Sequence, residues 1–217
     1  MARVPTSERL LSAAERLYGE RGIDGVSLRQ IAEAAGQRNP AAVQYHFGGK
    51  DALLRAVMEH RVEPANRRRL EMLEDIERTG RQRDLRALLA AAVQPLLDVD
   101  ADGQFLRFLS SMQAKGALQG LLGDISEEYG ASARRVGTYL YDALELPDPL
   151  RSNRIAVAFD FVLRALAEQQ QRVHSGGTTL PMDVFVEDLI LATEGFLTAP
   201  PPADAAARLA TESASSR

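Results

Sequence analysis

The fold is decided by residues 27–54, SLRQIAEAAGQRNPAAVQYHFGGKDALL. Ser27 and Gln30 have the spacing of a capping box, in which the serine hydroxyl accepts from an amide three residues on and the glutamine side chain reaches back. Apolar residues then recur on one helical face, at Leu28, Ile31, Ala32 and Ala35. We expect Gly36 to end this helix, because glycine takes the left-handed conformation without steric cost.

A second, shorter helix is predicted over residues 40–47. Asn39 precedes it as a cap, and Pro40 suits the first helical position, where the missing amide hydrogen is not needed. Val43 and Phe47 are four residues apart, so both can face inward from a helix of about two turns. The turn between the two helices is therefore only a few residues long.

Further helices flank this pair. Residues 6–22 carry one apolar stripe, made of Leu10, Leu11, Ala14, Leu17 and Tyr18. The glycine pair at 48–49 ends the short helix, and Lys50 opens a longer one. Three helices within about 50 residues, with the second and third joined by a short turn, are the helix-turn-helix pattern. The pattern predicts duplex DNA as a partner.

The wording of this segment resembles the TetR family of bacterial transcriptional regulators. The matching residues are 10–36, LLSAAERLYGERGIDGVSLRQIAEAAG, and 45–54, YHFGGKDALL. In that family a helix-initiating Ser or Thr is followed by an IAxxAG run. A short recognition helix then ends in an aromatic-x-His-Phe pattern, and a Lys-acid pair opens helix four. Between Gly36 and Phe47 this sequence is one residue longer than the common spacing, and Gln44 stands where the family usually has Tyr.

The resemblance covers roughly the first quarter of the chain, and it implies a fold class and a domain plan. The expected fold is all-α, with an N-terminal three-helix helix-turn-helix domain followed by a larger helical ligand-binding and dimerisation domain. We place the first domain at residues 1–50 and the second at residues 51–198. Residues 199–217 are rich in Pro, Ala and Ser, and we expect them to form a disordered tail.

Candidate base contacts come from the recognition helix. Such a helix reads base edges through its N-terminal residues, where Arg38 and Asn39 lie. Arginine suits guanine, and Asn or Gln suits adenine, because each can make a bidentate pair, so Gln44 is a further candidate on the exposed face. The small side chains of Ala41 and Ala42 allow close approach, and either could meet a thymine methyl group.

Candidate backbone contacts flank these positions. Ser27, at a helix N-terminus, can present its hydroxyl and nearby amides to a phosphate. The resemblance implies a phosphate-holding role for three further residues, Tyr45, His46 and Lys50. Arg29, exposed on the second helix, is another candidate.

Structural interpretations compete with several of these assignments. Asn39 can serve only as a helix cap. His46 can serve as a C-terminal capping residue. Residues 67–69 are three successive arginines, but they lie about 17 residues beyond Lys50, or about 25 Å along a straight helix. We therefore interpret them as a solvated helix face and not as part of the DNA-binding surface.

The net charge of −4 is unevenly divided along the chain. Residues 1–69 carry 12 Arg and Lys against 8 Asp and Glu, whereas residues 70–217 carry 14 against 22. The basic excess thus lies on the segment with the helix-turn-helix, as an electrostatic footprint should. Because the excess per domain is modest, the charge favours two such domains acting together as a dimer.

Composition excludes several classes of protein. With no cysteine in 217 residues, the chain cannot form a disulfide framework, a thiolate metal site or a cysteine nucleophile. No apolar run approaches the roughly 20 residues of a membrane span. The N-terminal MARVPTSERLL lacks the apolar stretch and cleavage site of a signal peptide. We therefore expect a cytoplasmic protein.

Beyond Asp51 the chain is helical in character. The pattern predicts helices over residues 50–78, 84–98, 104–115, 119–146, 148–174 and 181–197. Pro64 is expected to bend or break the first of these, because a proline inside a helix removes one hydrogen bond and clashes with the preceding turn.

The last two predicted helices suggest an interface. Residues 153–170 are apolar well around the helix, and residues 181–197 carry one clean apolar stripe. A helix that is apolar nearly all round must be covered on more than one side. Two such helices from each of two subunits would make a four-helix dimer interface, as the resemblance implies. The alternative is that both belong to the core of one subunit.

The resemblance also implies a small-molecule pocket in the second domain, whose occupation changes the spacing of the two DNA-binding domains. A dimer reads half-sites about 34–36 Å apart, so such a change removes one set of contacts. A ligand achieves this only through different affinities for the two conformations. Candidate lining residues are Phe105, Phe108, Met112 and Tyr129, and ordinary core positions are the alternative for each.

Two other classes of function compete. An enzyme is not expected, since His46, His60 and His174 are far apart in sequence and phosphate-binding glycine loops are absent. We accordingly predict no catalytic residue, metal or cofactor. A helical protein-interaction module with a degenerate helix-turn-helix is the second alternative. We expect a sequence-specific DNA-binding transcriptional regulator, and the resemblance implies a homodimeric repressor that a small-molecule ligand releases from a palindromic operator.

Overall fold

The computed structural model describes residues 4–39, 41–114, 116, 118, 127–204 and 209, with the side chains of residues 127–129 left out. These residues form helices and no strand, so the all-α prediction is confirmed. In chain order the helices are α1 (Thr6–Arg21), α2 (Leu28–Ala34), α3 (Ala42–Phe47), α4 (Lys50–Arg78), α5 (Leu85–Asp98), α6 (Gln104–Ala114), α7 (Glu127–Ala143), α8 (Leu150–His174) and α9 (Met182–Thr198).

Local signals place the ends of the first helices. At α2 the Gln30 amide donates to Ser27 Oγ at 3.3 Å, and the Ser27 amide donates to Gln30 Oε1 at 2.8 Å. The predicted capping box is therefore present. Gly36 follows α2 with φ of +69°, the conformation for which glycine was expected there.

Some predicted boundaries lie outside the described residues. Lys115, predicted to end the helix at 104–115, is among them, and so are residues 119–126, the predicted start of α7. For the helix predicted over 148–174, the structure gives α8 from Leu150 to His174. Most of the predicted tail also lies outside the described part of the chain.

The proline in α4 does not interrupt the helix. α4 continues for 29 residues with Pro64 inside it, so the prediction of a break is wrong. One missing hydrogen bond is tolerated because α4 packs along its length against α1, α5 and α7. α4 begins at Lys50, at the predicted domain boundary.

One core extends through both predicted domains. It joins Ile31 and Val43 of the helix-turn-helix to Phe105 and Leu166 of the helices that follow. α1 crosses α6 closely at Gly19, where an added Cβ would lie 3.3 Å from the Phe108 amide nitrogen. We call α1–α3 the head and the helices from α5 to α9 the body. The shared core means that the head is docked on the body.

A second core packs the C-terminal half of α4 against the body, and a buried arginine of α4 lies beside it. Arg69 is 5% exposed, so the interpretation of residues 67–69 as a solvated face is wrong for this residue. Its Nε donates to the Ala91 carbonyl at 3.0 Å. Pro95 lacks the amide hydrogen that would normally bond to that carbonyl within α5, so Arg69 supplies the missing donor. Arg67 and Arg68 are exposed, as predicted.

Candidate nucleic-acid interface

The short helix α3 is anchored by one face and exposed on the other. Val43 is fully buried in the shared core and Phe47 is half-buried against it, as their spacing predicted. Gly48, at φ of +82°, ends the helix. Because both apolar anchors lie on one side, the opposite side of α3 is presented to solvent on the surface of the head.

The approach to α3 differs from the prediction in detail. The helix begins at Ala42, not at residue 40, and Pro40 lies outside the described residues. Asn39 nevertheless caps locally, since its Oδ1 accepts from the Ala41 amide at 2.9 Å. Its side-chain NH₂ group stays available as a donor to a base. Arg38 beside it is exposed and carries no ion pair within the described chain.

Positions 41, 42 and 44 differ in how open they are. Ala41 is exposed, whereas Ala42 is half-buried and packs against the core. Gln44 is exposed, but its Nε2 donates to the Gly48 carbonyl at 2.8 Å. A bidentate contact with adenine uses Oε1 and one Nε2 hydrogen, so only the second hydrogen would remain for the Gly48 carbonyl. As it stands, Gln44 braces the end of α3.

The aromatic end of α3 is strongly exposed. Tyr45 is 86% exposed, a large value for an aromatic side chain. His46 is also exposed and meets the Tyr45 ring edge-on, with the ring centroids 5.1 Å apart. Lys50, in the first turn of α4, is half-buried. All three offer hydrogen-bond donors at one end of α3, an arrangement that suits phosphate oxygens.

The two candidates on α2 are already engaged within their own helix. Ser27 and Gln30 satisfy each other in the capping box. Arg29 pairs with Glu33 at 2.8 Å while remaining 76% exposed. An exposed pair of this kind contributes little to stability, so Arg29 can exchange Glu33 for a phosphate at small cost.

Sequence patterns did not reveal the contacts that tie the head to the body. Arg61 of α4 donates through Nε to both carboxylate oxygens of Glu15, at 3.1 and 3.0 Å, and through Nη1 to the Val99 carbonyl at 2.7 Å. Burial raises the pKa of Glu15 to about 7, although Arg61 opposes that rise. These partners are 38 or more residues apart in sequence, so no local pattern pairs them.

Glu15 also belongs to a group of carboxylates of the kind that binds metal ions. Among the described residues, ligand atoms of Glu15, Asp100 and Asp102 lie within 4.8 Å of one another. Arg61 already contacts Glu15 and, at 3.6 Å, Asp102. Asp100 accepts from the amides of Phe105 and Leu106 at 2.8 and 3.0 Å. Since protein donors occupy these oxygens, the group serves structure, and we assign no metal to it.

The candidate pocket residues pack as core. Phe105, Phe108 and Met112 are each fully buried in the shared core, and the rings of Phe105 and Phe108 stack with centroids 6.4 Å apart. The side chain of Tyr129 lies outside the described residues. The geometry here matches the core alternative for these phenylalanines, and their role as pocket residues stays a prediction.

Apolar side chains are exposed on the last two helices. Val157 and Phe161 on α8 are 44% and 53% exposed, and Val184, Leu191 and Phe196 on α9 are at least 40% exposed. One turn separates Val157 from Phe161, so the two lie on the same face of α8. Exposed large apolar side chains grouped in this way mark an interaction surface.

The head has the architecture of a helix-turn-helix DNA-binding domain, and comparison with known proteins agrees. The sequence model of one protein family, described as bacterial regulatory proteins, tetR family, matches residues 10–57 of this chain. The HTH-type transcriptional regulator BetI of Brucella anthropi is 47% identical over 51 residues, which cover 24% of this chain and 26% of that protein. BetI of Brucella melitensis biotype 1 has the same identity over 25% of its length. The match thus spans about a quarter of these relatives.

Solved structures extend the likeness to the whole fold. An HlyIIR mutant protein superposes with a TM-score of 0.56 at 18% identity, over 92% of this chain and 99% of that one. PfmR, a TetR family transcriptional regulator from Thermus thermophilus, gives 0.51 at 19% identity over 89% and 100%. At these identities the likeness shows the fold. The tetR family model matches the N-terminal domain alone.

Proposed function

We propose that the chain is a sequence-specific DNA-binding transcriptional regulator. The observation that carries the proposal is the presentation of α3, which is anchored at Val43 and exposes Tyr45 and His46, with Arg38 exposed just before the helix. A recognition helix held in this way can enter the major groove with its first residues toward the bases. The aromatic end of α3 and Lys50 then face the phosphates.

The regulator acts as a homodimer in this proposal. Exposed apolar side chains of α8 and α9 supply a surface that a second copy would cover, in keeping with the four-helix interface expected from the sequence. Two heads double the number of contacts to the DNA, and their two-fold symmetry demands a palindromic site.

We propose repression relieved by a small molecule as the regulatory mode. It is supported by the docking of the head on the body, through α1 against α6 and through Arg61 against Glu15 and the Val99 carbonyl. A ligand that favours one docking geometry over another shifts the spacing of the two heads. Catalysis has no part in this mechanism. In the described part of the chain, no helix is long and apolar enough to cross a membrane.

A footprint of the purified protein on the DNA flanking its own gene tests the proposal, with several salt concentrations and a random-sequence DNA pool in parallel. We expect a protected near-palindrome whose affinity falls steeply with salt, because each phosphate contact releases counterions. Arg38→Gln should weaken the protection. Arg83→Gln, at an exposed arginine in the turn between α4 and α5, is the matched control. Uniform weak binding to all sequences would instead favour the interaction-module alternative.

A further inference from the structure

Two cavities lie side by side where the head meets the body. The larger, of about 290 Å³, is walled by α1, the end of α2, Arg61 of α4 and the segment that leads into α6. The smaller, of about 110 Å³, is walled by α1, α6 and the end of α8. Both contain Arg16, Asp102 and Gln104 in their walls. We call the space they form together the junction groove.

The carboxylates on the wall of the larger cavity are already paired. Glu15 receives two contacts from Arg61, and Asp102 lies 3.6 Å from the same guanidinium. One arginine thus balances much of the negative charge on that wall. A cation that entered the larger cavity would have to displace Arg61 from both carboxylates. That cavity is therefore a poor binding site for a cation.

The remaining arginines of the groove are only weakly engaged. Arg9 donates from Nη2 to the Thr6 hydroxyl at 3.2 Å, while its Nε is buried with no partner in the described structure. Arg16 reaches Glu20 at 3.5 Å, with about a third or more of each side chain exposed. Arg107 makes no ion pair with any described residue. A buried donor without a partner is costly, so the Arg9 side chain gains if it turns its Nε toward a ligand oxygen.

We propose that the junction groove binds a small anion, carrying a carboxylate or phosphate group, at Arg16, which lines both cavities, with Arg9 on the side of the larger cavity and Arg107 on the side of the smaller one. A guanidinium presents planar, paired donors that match both groups. Ser12 and Gln104 line the same space and offer neutral hydrogen bonds. A volume near 290 Å³ lies at the lower end for ligand pockets, so the anion has few heavy atoms.

The position of the groove gives such a ligand a structural consequence. Arg9 and Arg16 belong to α1 of the head, and Arg107 belongs to α6 of the body. One anion held by both would bridge the two parts across the α1–α6 contact. It would therefore favour the docked arrangement over any arrangement in which α1 and α6 separate.

Isothermal titration of the full chain without DNA tests this site, with inorganic phosphate and succinate as separate probes. Sodium chloride keeps the ionic strength constant. We expect saturable binding of at least one probe, with one site per chain. Arg16→Gln and Arg107→Gln should each weaken it tenfold or more, and Arg83→Gln should leave it unchanged. Binding of phosphate alone would identify a phosphoryl ligand, and binding of succinate alone a carboxylate.

Two results would overturn the proposal. One is the absence of saturable binding with either probe. The other is binding that survives in the Arg16→Gln, Arg107→Gln double variant. The substituted side chains are partly exposed, and circular dichroism of each variant verifies its fold. Because no DNA is present, the outcome is independent of whether the chain reads an operator.

Discussion

At the scale of single residues, the candidate DNA-contacting side chains of the head differ in whether they already form hydrogen bonds or ion pairs within the chain. Asn39 caps the Ala41 amide, Gln44 braces the Gly48 carbonyl and Arg29 pairs with Glu33. Arg38 and Tyr45, by contrast, are exposed and uncommitted within the described chain. Sequence reasoning assigned all of these to the DNA-facing side and could not rank them, because the distinguishing hydrogen bonds depend on where α3 begins.

This difference predicts unequal effects of substitution on DNA binding. Arg38→Gln should cost about 1–3 kcal/mol of operator affinity, the range for loss of a direct arginine contact. Arg29→Gln should cost less, since Arg29 must first give up Glu33. Fluorescence anisotropy on the footprinted site, at one salt concentration, measures both. An equal loss of affinity in the two variants would show that the ion pair between Arg29 and Glu33 does not reduce the contribution of Arg29 to DNA binding.

Glu15 predicts a pH dependence of stability. Burial raises the pKa of Glu15 from 4.5 to about 7, so the folded chain holds this proton more tightly than the unfolded chain does. The contribution of Glu15 to the free energy of unfolding is fully present below pH 4.5 and is lost as the pH rises toward 7. Urea unfolding across this range should show that loss, and Glu15→Gln should reduce it to the part that comes from Asp100, whose pKa burial raises to about 6. Equal pH dependence in the two proteins would contradict the assignment.

At the scale of helices, patterns in the sequence predicted most of the elements, and prolines show where they fail. Capping signals placed α2, and apolar periodicity placed α1 and α9 to within a residue or two. Pro64 misled the prediction because a local rule ignores packing against three other helices. The burial of Arg69 was missed because its partners are carbonyls of α5, one of them freed by Pro95.

The pairing of Arg69 with the α5 backbone can be tested as a coupled pair. Arg69→Met should destabilise the chain by about 1–3 kcal/mol, because the Ala91 carbonyl loses its donor inside the core. Pro95→Ala restores an amide donor to that carbonyl, so it should recover part of the loss in the Arg69→Met background. Urea unfolding of both single variants and the double variant gives the coupling energy. Strictly additive effects would show that Pro95 and Arg69 do not share this carbonyl.

At the scale of the whole molecule, long-range contacts determine how the helices pack together, which the sequence patterns did not predict. The core from Ile31 to Leu166 joins head to body, and the Glu15–Arg61 pair joins the head to α4. Such contacts depend on how helices cross, which no periodicity encodes. Apolar helices were correctly expected in α8 and α9. Only the fold shows which of their side chains one subunit leaves uncovered.

The exposed apolar side chains of α8 and α9 lead to a prediction of how one added charge should affect dimer formation. Phe161 is 53% exposed, one turn from the exposed Val157. If a second copy covers this face, Phe161→Glu places a charge without a partner in an apolar interface, and such burial is strongly unfavourable. Sedimentation equilibrium should then show a dimer for the native chain and a monomer for the variant. Leu180→Glu, at an exposed apolar residue between α8 and α9, should remain dimeric. A dimer that persists in Phe161→Glu would place the interface elsewhere.

Loss of operator affinity together with loss of the dimer would show that DNA binding depends on the paired heads, since a single head makes only half of the phosphate contacts.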